Sequence, residues 1–376
     1  MSRGLPVLDL EGESREIGLA HGRGAKDRVA RNVRTYLQRF RDYGGFSHDE
    51  IRRRATEYLR IIEARNPDYA AAMEGIADGS GEDLLDVVAV NVRYEILYSE
   101  FSRAGMEQER TPPVLGGCTS FAILPEQTAS GHLLVGQNWD WIPQVQGLVV
   151  RTRRQGTPAS LAFTEAGIAG GKIGLNDAKI ALVINGLVSD RDSWARLCTP
   201  FHVRCWEILA SHTFLRAVSV VREEARACSA NFLIAQAGDV PHLVDVEAAP
   251  DRVCELQPKG GILAHANHFT DPDAVGIRQP LGEDRASTLF RYDRIHALLR
   301  NALAAGRRIE LADLEQILRD HEGGALSICR HEDATRPEHY RFATVVSVII
   351  DVDEGVMFLA SGNPCTARFE RYALTS

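Results

Sequence analysis

The sequence has no stretch of about 20 consecutive apolar residues, which a membrane-spanning helix requires. Its first seven residues lack the apolar core of a secretory signal. It also lacks a basic excess, since the 376 residues carry a formal net charge of −8 at pH 7, whereas nucleic-acid binding normally needs a basic surface. We therefore expect a soluble, cytoplasmic protein with no nucleic-acid partner and no membrane partner.

The sequence also lacks any CxxC pair, although it has seven cysteines: Cys118, Cys198, Cys205, Cys228, Cys254, Cys329 and Cys365. An odd number of cysteines cannot all be paired, and the pattern fits reduced thiols in a cytosolic protein.

One group of metal-ligand types stands close together in the sequence, His265, His268 and Asp271. Residues 261–264 before it are predicted to form a strand, on which residues three apart face opposite ways. We therefore predict no metal and no cofactor.

The feature around which the chain is organised is Cys118, which two glycines precede and Thr119 and Ser120 follow. The apolar run at 121–124 predicts a strand, and turn residues at 125–131 lead to a second apolar run at 133–135. Such a hairpin would bring Asp140 back near Cys118. A thiol needs little activation to become a nucleophile, so this pair predicts a catalytic site.

A cysteine nucleophile needs a base, and no histidine lies within a turn of Cys118. One candidate is the α-amine of Cys118 itself, which would be free only if the Gly117–Cys118 bond were cut. With a pKa of about 7.7–8.0, an α-amine can accept a proton near neutrality. The alternative is a papain-like arrangement, because His265 and Asn267 follow Cys118 by about 130–150 residues. The residues around Cys118 do not match the papain pattern.

The periodicity predicts mainly helix before Cys118, with helices at 13–43 and 48–64, the second capped by Ser47. Residues 101–113 are predicted to form an exposed loop, which could present a cleavage junction. After Cys118, short β-rich runs dominate, which predicts an α+β protein with antiparallel sheets. The predicted strands are 7–10 before Cys118 and, after it, 148–152, 160–164, 172–175, 179–184, 232–237, 242–246, 261–266, 344–351 and 356–360. The predicted helices among them are 203–210, 213–227, 285–305 and 309–320.

Several motifs in a fixed order resemble the acyl-coenzyme A:6-aminopenicillanic acid acyltransferase (isopenicillin N acyltransferase) family, peptidase family C45, and the resemblance covers nearly the whole chain. They are Glu16-Ile17-Gly18, His21-Gly22, Gly75-Ile76-Ala77, Asn91-Val92-Arg93, Gly117-Cys118-Thr119, Gly136-Gln137-Asn138-Trp139-Asp140, Thr164-Glu165-Ala166-Gly167-Ile168, His265-Ala266-Asn267-His268 and Ser327-Ile328-Cys329-Arg330.

The resemblance implies an N-terminal-nucleophile (Ntn) hydrolase, in which helices cover two antiparallel sheets in a four-layer αββα sandwich. Members of the family cut themselves before the cysteine of a Gly-Cys-Thr motif and then use that cysteine. For this chain it implies cleavage between Gly117 and Cys118, so that a helical segment 1–117 and a β-rich segment 118–376 remain together as a heterodimer and complete one sandwich.

The resemblance also implies roles for individual residues. Cys118 would be the nucleophile, and Asn267 would stabilise the oxyanion. Asp140 would orient the new α-ammonium or the surroundings of the nucleophile. Arg330 would supply positive potential that favours the thiolate or would hold Asp140, and the backbone N–H of Asn185 would complete the oxyanion hole. The residues expected to touch substrate are Thr119 and Ser327.

The expected activity is hydrolysis of a small amide, or transfer of its acyl group, with acyl-coenzyme A as another acyl donor to consider. The competing interpretations are the papain-like protease and a non-catalytic binding protein with the same fold. Three tryptophans, Trp139, Trp141 and Trp194, could line an apolar acyl pocket, although such residues more often belong to a core.

Overall fold

The computed structural model describes residues 4–107, 117–282 and 284–375, without the side chain of residue 305. Its strands are β1 (Val7–Glu11), β2 (Thr119–Ile123), β3 (Leu134–Trp141), β4 (Gly147–Arg153), β5 (Ser160–Glu165), β6 (Ile173–Asn176), β7 (Ile180–Gly186), β8 (Ala230–Gln236), β9 (His242–Ala248), β10 (Val253–Leu256), β11 (Ile262–His265), β12 (Ala343–Asp351), β13 (Val356–Ser361) and β14 (Glu370–Ala373). The strands predicted from the sequence are present, and β10 and β14 are additional.

The helices are α1 (Ser14–Gly24), α2 (Lys26–Gly44), α3 (His48–Arg65), α4 (Pro67–Ser80), α5 (Leu84–Asn91), α6 (Arg93–Met106), α7 (Phe201–Leu209), α8 (Phe214–Arg222), α9 (Asp284–Ala302) and α10 (Leu311–Leu318). The predicted cap of α3 is confirmed, since the Ser47 hydroxyl accepts a hydrogen bond from the Glu50 N–H at 3.2 Å. The helix predicted at 13–43 is interrupted at Ala25, whose backbone is not helical.

The exposed loop predicted at 101–113 is wrong in its first part. Residues 101–106 are the last turns of α6, and Phe101 and Ser102 are buried. They stay helical because Phe101 packs against aromatic rings of the core, including Tyr43 and Tyr98. The rest of the predicted loop, residues 108–113, lies outside the described residues.

The strands form two sheets. One has eight strands in the order β1-β4-β5-β6-β7-β8-β9-β10, and the other has six in the order β11-β2-β3-β12-β13-β14. The strand pairs are antiparallel except for β1, which lies parallel to β4 at the edge of the larger sheet.

The two sheets pack face to face through β2 and β3 against β7 and β8, while α7 and α8 cover the outside of the larger sheet and α9 and α10 that of the smaller one. The predicted α+β sandwich of four layers is therefore confirmed. The helices before Cys118 reach both sheets: the Tyr36 hydroxyl of α2 donates to Glu165 of β5 and accepts from Trp141 of β3.

Glycines allow α1 and α4 to pack with their backbones in contact. A Cβ on Gly18 would lie 2.0 Å from the carbonyl oxygen of Ala72, and one on Gly22 would lie 2.4 Å from that of Ile76. Any larger residue at 18 or 22 would force the helices apart. Within the described ranges, no helix is both long enough and apolar enough to cross a membrane.

Candidate active site around Cys118

Cys118 lies immediately before β2, and the hairpin with β3 is the one predicted from the sequence. Thr119 pairs with Asn138 in antiparallel register, which places the Cys118 sulfur 4.0 Å from the carbonyl oxygen of Asp140. The expected proximity of Cys118 and Asp140 is confirmed. Because side chains alternate along a strand, Cys118 and Ser120 face the other sheet, whereas Thr119 faces α9.

Three charged side chains surround the Cα of Gly117. A Cβ at this position would lie 2.6 Å from Nη1 of Arg330, 3.1 Å from Oδ2 of Asp140 and 3.2 Å from Nη2 of Arg291. We call Asp140, Arg291 and Arg330 the Gly117 cluster. Glycine suits this position because a side chain would displace these charges from the peptide bond that precedes Cys118.

Asp140 is completely buried, and one of its two carboxylate oxygens is bonded. Oδ1 accepts a hydrogen bond from the Thr344 hydroxyl at 2.7 Å. Oδ2 of Asp140 and Nη1 of Arg330 are buried and have no hydrogen-bond partner among the residues that the structure describes. Burial raises the pKa of Asp140 to about 7, against the opposing effect of Arg291 and Arg330.

The thiol of Cys118 is 4% exposed. Burial, reinforced by the charge of Asp140, raises its pKa to about 11, although Arg291 and Lys172 act in the opposite direction. With its nitrogen still in a peptide bond, Cys118 therefore holds its proton at neutral pH, and attack on a carbonyl needs a group that removes it.

Arg291 is a site residue that the sequence analysis missed. Its guanidinium donates to the Cys118 carbonyl oxygen at 2.5 Å, to the Thr119 hydroxyl at 3.1 Å and to Oδ1 of Asn267 at 3.0 Å. The side chain is buried on the inner face of α9, in line with Ile295 and Leu299. The sequence signal that could have identified Arg291 is its helical spacing to the apolar residues Ile295 and Leu299.

Asn267 is held from two sides. Its Oδ1 accepts from Arg291, while its Nδ2 donates to the Gly186 carbonyl at 3.0 Å and its backbone N–H donates to Thr288 at 2.7 Å. A side-chain amide has two N–H hydrogens, so one remains for an oxyanion. The structure thus links Asn267 to Cys118 through a single arginine.

Asn185 lies on β7, across the interface between the sheets. Its Oδ1 accepts from the Ser120 hydroxyl at 2.6 Å and from Asn231 at 3.3 Å. Since Ser120 is two residues beyond Cys118 on the same strand face, Asn185 is close to the site. The expected role of its backbone N–H stays a prediction.

Of the two residues expected to touch substrate, Thr119 is held by Arg291. The Ser327 hydroxyl donates to the Cys329 carbonyl oxygen at 2.9 Å, within its own loop. A substrate contact of either residue stays a prediction. Arg330, in the same loop as Ser327, is fixed by its backbone, which exchanges hydrogen bonds with Thr344.

His265, the base of the papain-like alternative, has both ring nitrogens occupied. Nε2 lies 2.8 Å from Oε1 of Glu247, and Nδ1 lies 2.8 Å from the Ala266 carbonyl oxygen. Burial alone would lower its pKa, but the carboxylates of Asp245 and Glu247 outweigh burial and raise it. Both ring nitrogens are therefore directed at oxygen acceptors of their own, and neither is directed at the Cys118 thiol.

The histidine group considered as a metal site is not arranged around one point. His265 contacts Glu247, whereas Nδ1 of His268 lies 2.9 Å from the Thr288 hydroxyl. Asp271 accepts from the Ala274 N–H at 3.0 Å, as a turn residue does.

A second buried charge cluster lies beside the site. Glu165 accepts hydrogen bonds from Arg93, Lys172 and Tyr36, and we call these four residues the Glu165 cluster. Burial alone would raise the pKa of Glu165, but Arg93 and Lys172 outweigh burial and lower it to about 2. Burial lowers the pKa of Lys172 to about 7.

The tryptophans separate into two places. The Lys172 ammonium lies 3.2 Å from the ring centroid of Trp139, and the Trp139 and Trp141 rings stack on each other in the core. Trp194 instead packs against Arg53 and Arg54 of α3. The three tryptophans therefore do not line one common acyl pocket, because Trp194 lies apart from Trp139 and Trp141.

Comparison with known proteins gives a family and several relatives. A family model described as acyl-coenzyme A:6-aminopenicillanic acid acyl-transferase matches residues 127–366, a range that includes Asp140, Asn185, Asn267 and Arg330. The acyl-coenzyme A:6-aminopenicillanic-acid-acyltransferase 40 kDa form of Emericella nidulans is 26% identical over 348 residues, which cover 91% of this chain and 88% of the relative.

Solved structures give weaker similarities. Penicillin V acylase from Agrobacterium tumefaciens has a TM-score of 0.45 at 14% identity, covering 65% of this chain and 83% of that chain. The N-acylethanolamine-hydrolyzing acid amidase ortholog of Caenorhabditis elegans has a TM-score of 0.44 at 14% identity, covering 62% of this chain and 93% of that chain.

Proposed function

Since this chain belongs to the acyl-coenzyme A:6-aminopenicillanic acid acyl-transferase family, we propose that it is a self-cleaving N-terminal cysteine amide hydrolase. It is made as a precursor, cuts the bond between Gly117 and Cys118, and uses Cys118 as its nucleophile. The segments 1–117 and 118–376 then stay together, because helices before Cys118 contact both sheets.

Self-cleavage begins when the Cys118 sulfur attacks the Gly117 carbonyl carbon. The bond from that carbon to the Cys118 nitrogen breaks, the nitrogen takes up the proton that the thiol gives up, and Gly117 is left as a thioester on the sulfur. Water then hydrolyses the thioester to a Gly117 carboxylate and a free thiol. The freed α-amine is the base that the thiol lacked in the precursor.

Turnover uses the same atoms. The α-amine takes the thiol proton while the sulfur attacks an amide carbonyl. When the substrate C–N bond breaks, the α-ammonium returns that proton to the nitrogen of the leaving amine, and the acyl group stays on the Cys118 sulfur. The Nδ2 of Asn267 donates to the developing oxyanion, which is the task of a preorganised neutral amide. Arg291 positions Asn267 for this, and Asp140 orients the α-ammonium.

The observation that carries the proposal is the convergence of charges on one peptide bond. The three side chains of the Gly117 cluster lie around the residue before Cys118, and one of them also binds the Cys118 carbonyl oxygen. Oδ2 of Asp140, beside the thiol, is buried and has no partner among the described residues, so it is free to accept a hydrogen bond from the α-ammonium that cleavage would create.

The geometry of His265 favours this function over the papain-like protease. Both of its nitrogens face oxygen acceptors, one of them on Glu247. A papain-like mechanism needs an imidazole that can accept the thiol proton, whereas an N-terminal nucleophile carries its own base.

Intact mass under denaturing conditions tests self-cleavage. Wild-type protein should give two masses, those of residues 1–117 and 118–376, with Cys118 at the second N-terminus. Cys118→Ala should stay whole because the attacking atom is gone, and Cys205→Ala, a buried cysteine in α7, is the matched control that should still be cut. A wild-type chain that remains full-length after long incubation would refute the proposal.

Hydrolysis and acyl transfer share one acyl-enzyme and differ only in the nucleophile that reaches it. We propose hydrolysis of a small linear amide as the main reaction, and acyl-coenzyme A or another thioester as the alternative donor. An assay of acyl release with and without an amine acceptor separates the two. Product that goes mostly to the acylated amine would make the protein a transferase.

A further inference from the structure

Four side chains outside the Cys118 site point their ligand atoms at one another. They are His321, Cys329, His331 and Cys365, and one ligand atom of each lies within 4.8 Å of those of the other three. The spacing in the sequence, with seven, one and 33 residues between neighbours, contains no CxxC and therefore gave no metal prediction.

The fold brings the four together from three segments. His321 follows α10, Cys329 and His331 lie in the loop that precedes β12, and Cys365 lies in the turn after β13. The Cys329 N–H donates to the Asp320 carbonyl at 3.0 Å, which ties the loop to the end of α10. Asn363 donates to the Arg330 carbonyl at 2.7 Å, which ties the turn to the loop.

The distances from Nε2 of His331 to the other three ligand atoms bracket those expected around one small cation. Nε2 of His331 lies 3.0 Å from Nε2 of His321, 3.3 Å from the sulfur of Cys365 and 3.9 Å from that of Cys329. With bonds of about 2.3 Å to sulfur and about 2.0–2.1 Å to nitrogen, the ligand atoms of a tetrahedral zinc ion lie roughly 3.3–3.8 Å apart.

Hydrogen bonds alone do not account for the arrangement. A ring nitrogen has either one hydrogen or one lone pair, so Nε2 of His331 can satisfy only one of its three neighbours. A cation at the centre satisfies all four at once. The side-chain amide of Asn363 also points at the Cys329 sulfur, 3.8 Å away, as hydrogen-bond donors do around a thiolate that binds a metal.

We propose that His321, Cys329, His331 and Cys365 bind one structural zinc ion. Two sulfur and two nitrogen ligands in a tetrahedron select zinc among the common divalent metals. Binding releases the protons of the two thiols. Because four protein ligands fill the tetrahedron, the ion has no open position for a substrate or an attacking water.

The zinc site holds the loop that carries Arg330. Cys329 and His331 flank Arg330 in the chain, and the Arg330 guanidinium reaches Gly117. The ion thus acts on the Cys118 site only by fixing a backbone, and its role is distinct from the chemistry proposed for Cys118.

Metal analysis of the whole protein tests the proposal. The protein is purified under reducing conditions with a tag that contains no histidine, and its zinc content is measured by inductively coupled plasma mass spectrometry. We expect about one zinc per chain. Cobalt introduced in place of zinc should give the visible absorption of a tetrahedral thiolate site.

Paired variants locate the ion. Cys365→Ser and His321→Ala should lose the zinc and the cobalt absorption, while the controls Cys198→Ser and His212→Ala should keep both. Cys118→Ala should also keep the zinc, so loss of self-cleavage and loss of metal are independent results. Zinc-free wild-type protein that gives no cobalt absorption, or zinc retained by both ligand variants, would overturn the proposal.

Discussion

The Glu165 cluster and the Gly117 cluster are both largely buried, and they differ in how the oxygens of their carboxylates are satisfied. In the Glu165 cluster, both carboxylate oxygens accept hydrogen bonds, one from Arg93 and Lys172 and the other from Tyr36. In the Gly117 cluster, Oδ2 of Asp140 and Nη1 of Arg330 have no such partner within the described part of the chain.

Under the proposed function, the charges of the Glu165 cluster stabilise the fold, whereas those of the Gly117 cluster take part in the reaction. An unsatisfied buried polar atom costs about 1–3 kcal/mol, so an incompletely paired cluster is retained where it does something else. A free α-ammonium at Cys118 would give Asp140 the donor that it lacks. In the Glu165 cluster, both oxygens of the carboxylate already accept hydrogen bonds, and the cluster joins α2 and α6 to the sheets.

The largest expected contrast is between Arg291→Lys and Arg93→Lys. Both changes keep a positive charge but remove the planar fork of N–H donors. Arg291→Lys should slow self-cleavage by about 10²-fold or more, because lysine cannot hold the Cys118 carbonyl, Thr119 and Asn267 together. Arg93→Lys should lower the free energy of unfolding and leave the cleavage rate of the folded protein near that of wild type.

The measurement is a time course of intact masses after synthesis, with unfolding by urea recorded for each variant. The comparison between the clusters breaks down if the two variants slow cleavage equally. It also breaks down if Arg291→Lys is cut at the wild-type rate.

The second prediction concerns the residue that Arg291 positions. Asn267→Ala should lower the acylation rate by about 10²–10³-fold, which is the usual loss for one oxyanion donor. The control is Asn176→Ala, because Asn176 is a buried asparagine that donates only to the Leu209 and Ser211 carbonyls. That variant should lose stability but keep the acylation rate, as measured by single-turnover release of the leaving amine.

Local patterns allowed part of this site to be predicted from the sequence. The hairpin that joins Cys118 to Asp140 lies within one short stretch, where turn residues and alternating apolar runs fix the pairing. The strands and helices after Cys118 were predicted for the same reason. The break at Ala25 was not, because the apolar spacing of α1 continues into α2.

Contacts between distant segments could not be predicted in this way. Arginine is a residue type usually found on the solvent-exposed face of a helix. Only the packing of α9 on β2 places Arg291 against Cys118. The four residues of the proposed zinc site come from three segments whose spacing follows no short motif. The spacing of cysteines and histidines is informative only when the ligands lie on one or two adjacent turns.

The smallest effect on activity is expected at His265, a histidine outside the Gly117 cluster whose two ring nitrogens are both occupied. We expect it to contribute to stability alone. Because the pKa of His265 is raised in the folded protein, protonated His265 stabilises the fold below its unfolded pKa of about 6.5. That contribution is lost as the pH rises through the folded pKa. His265→Gln should therefore lower the free energy of unfolding more at about pH 6 than at about pH 9.

Urea unfolding of wild type and His265→Gln at both pH values measures the difference, and His212→Gln, at an exposed histidine, is the control that should show no such pH dependence. The cost at the lower pH should be roughly 3–5 kcal/mol at most, since the change leaves the buried Glu247 carboxylate without its partner. The folded fraction of His265→Gln should still cut itself and hydrolyse substrate, because its base is the α-amine of Cys118. A folded, cleaved but inactive His265→Gln would instead assign the base to the histidine and restore the papain-like mechanism.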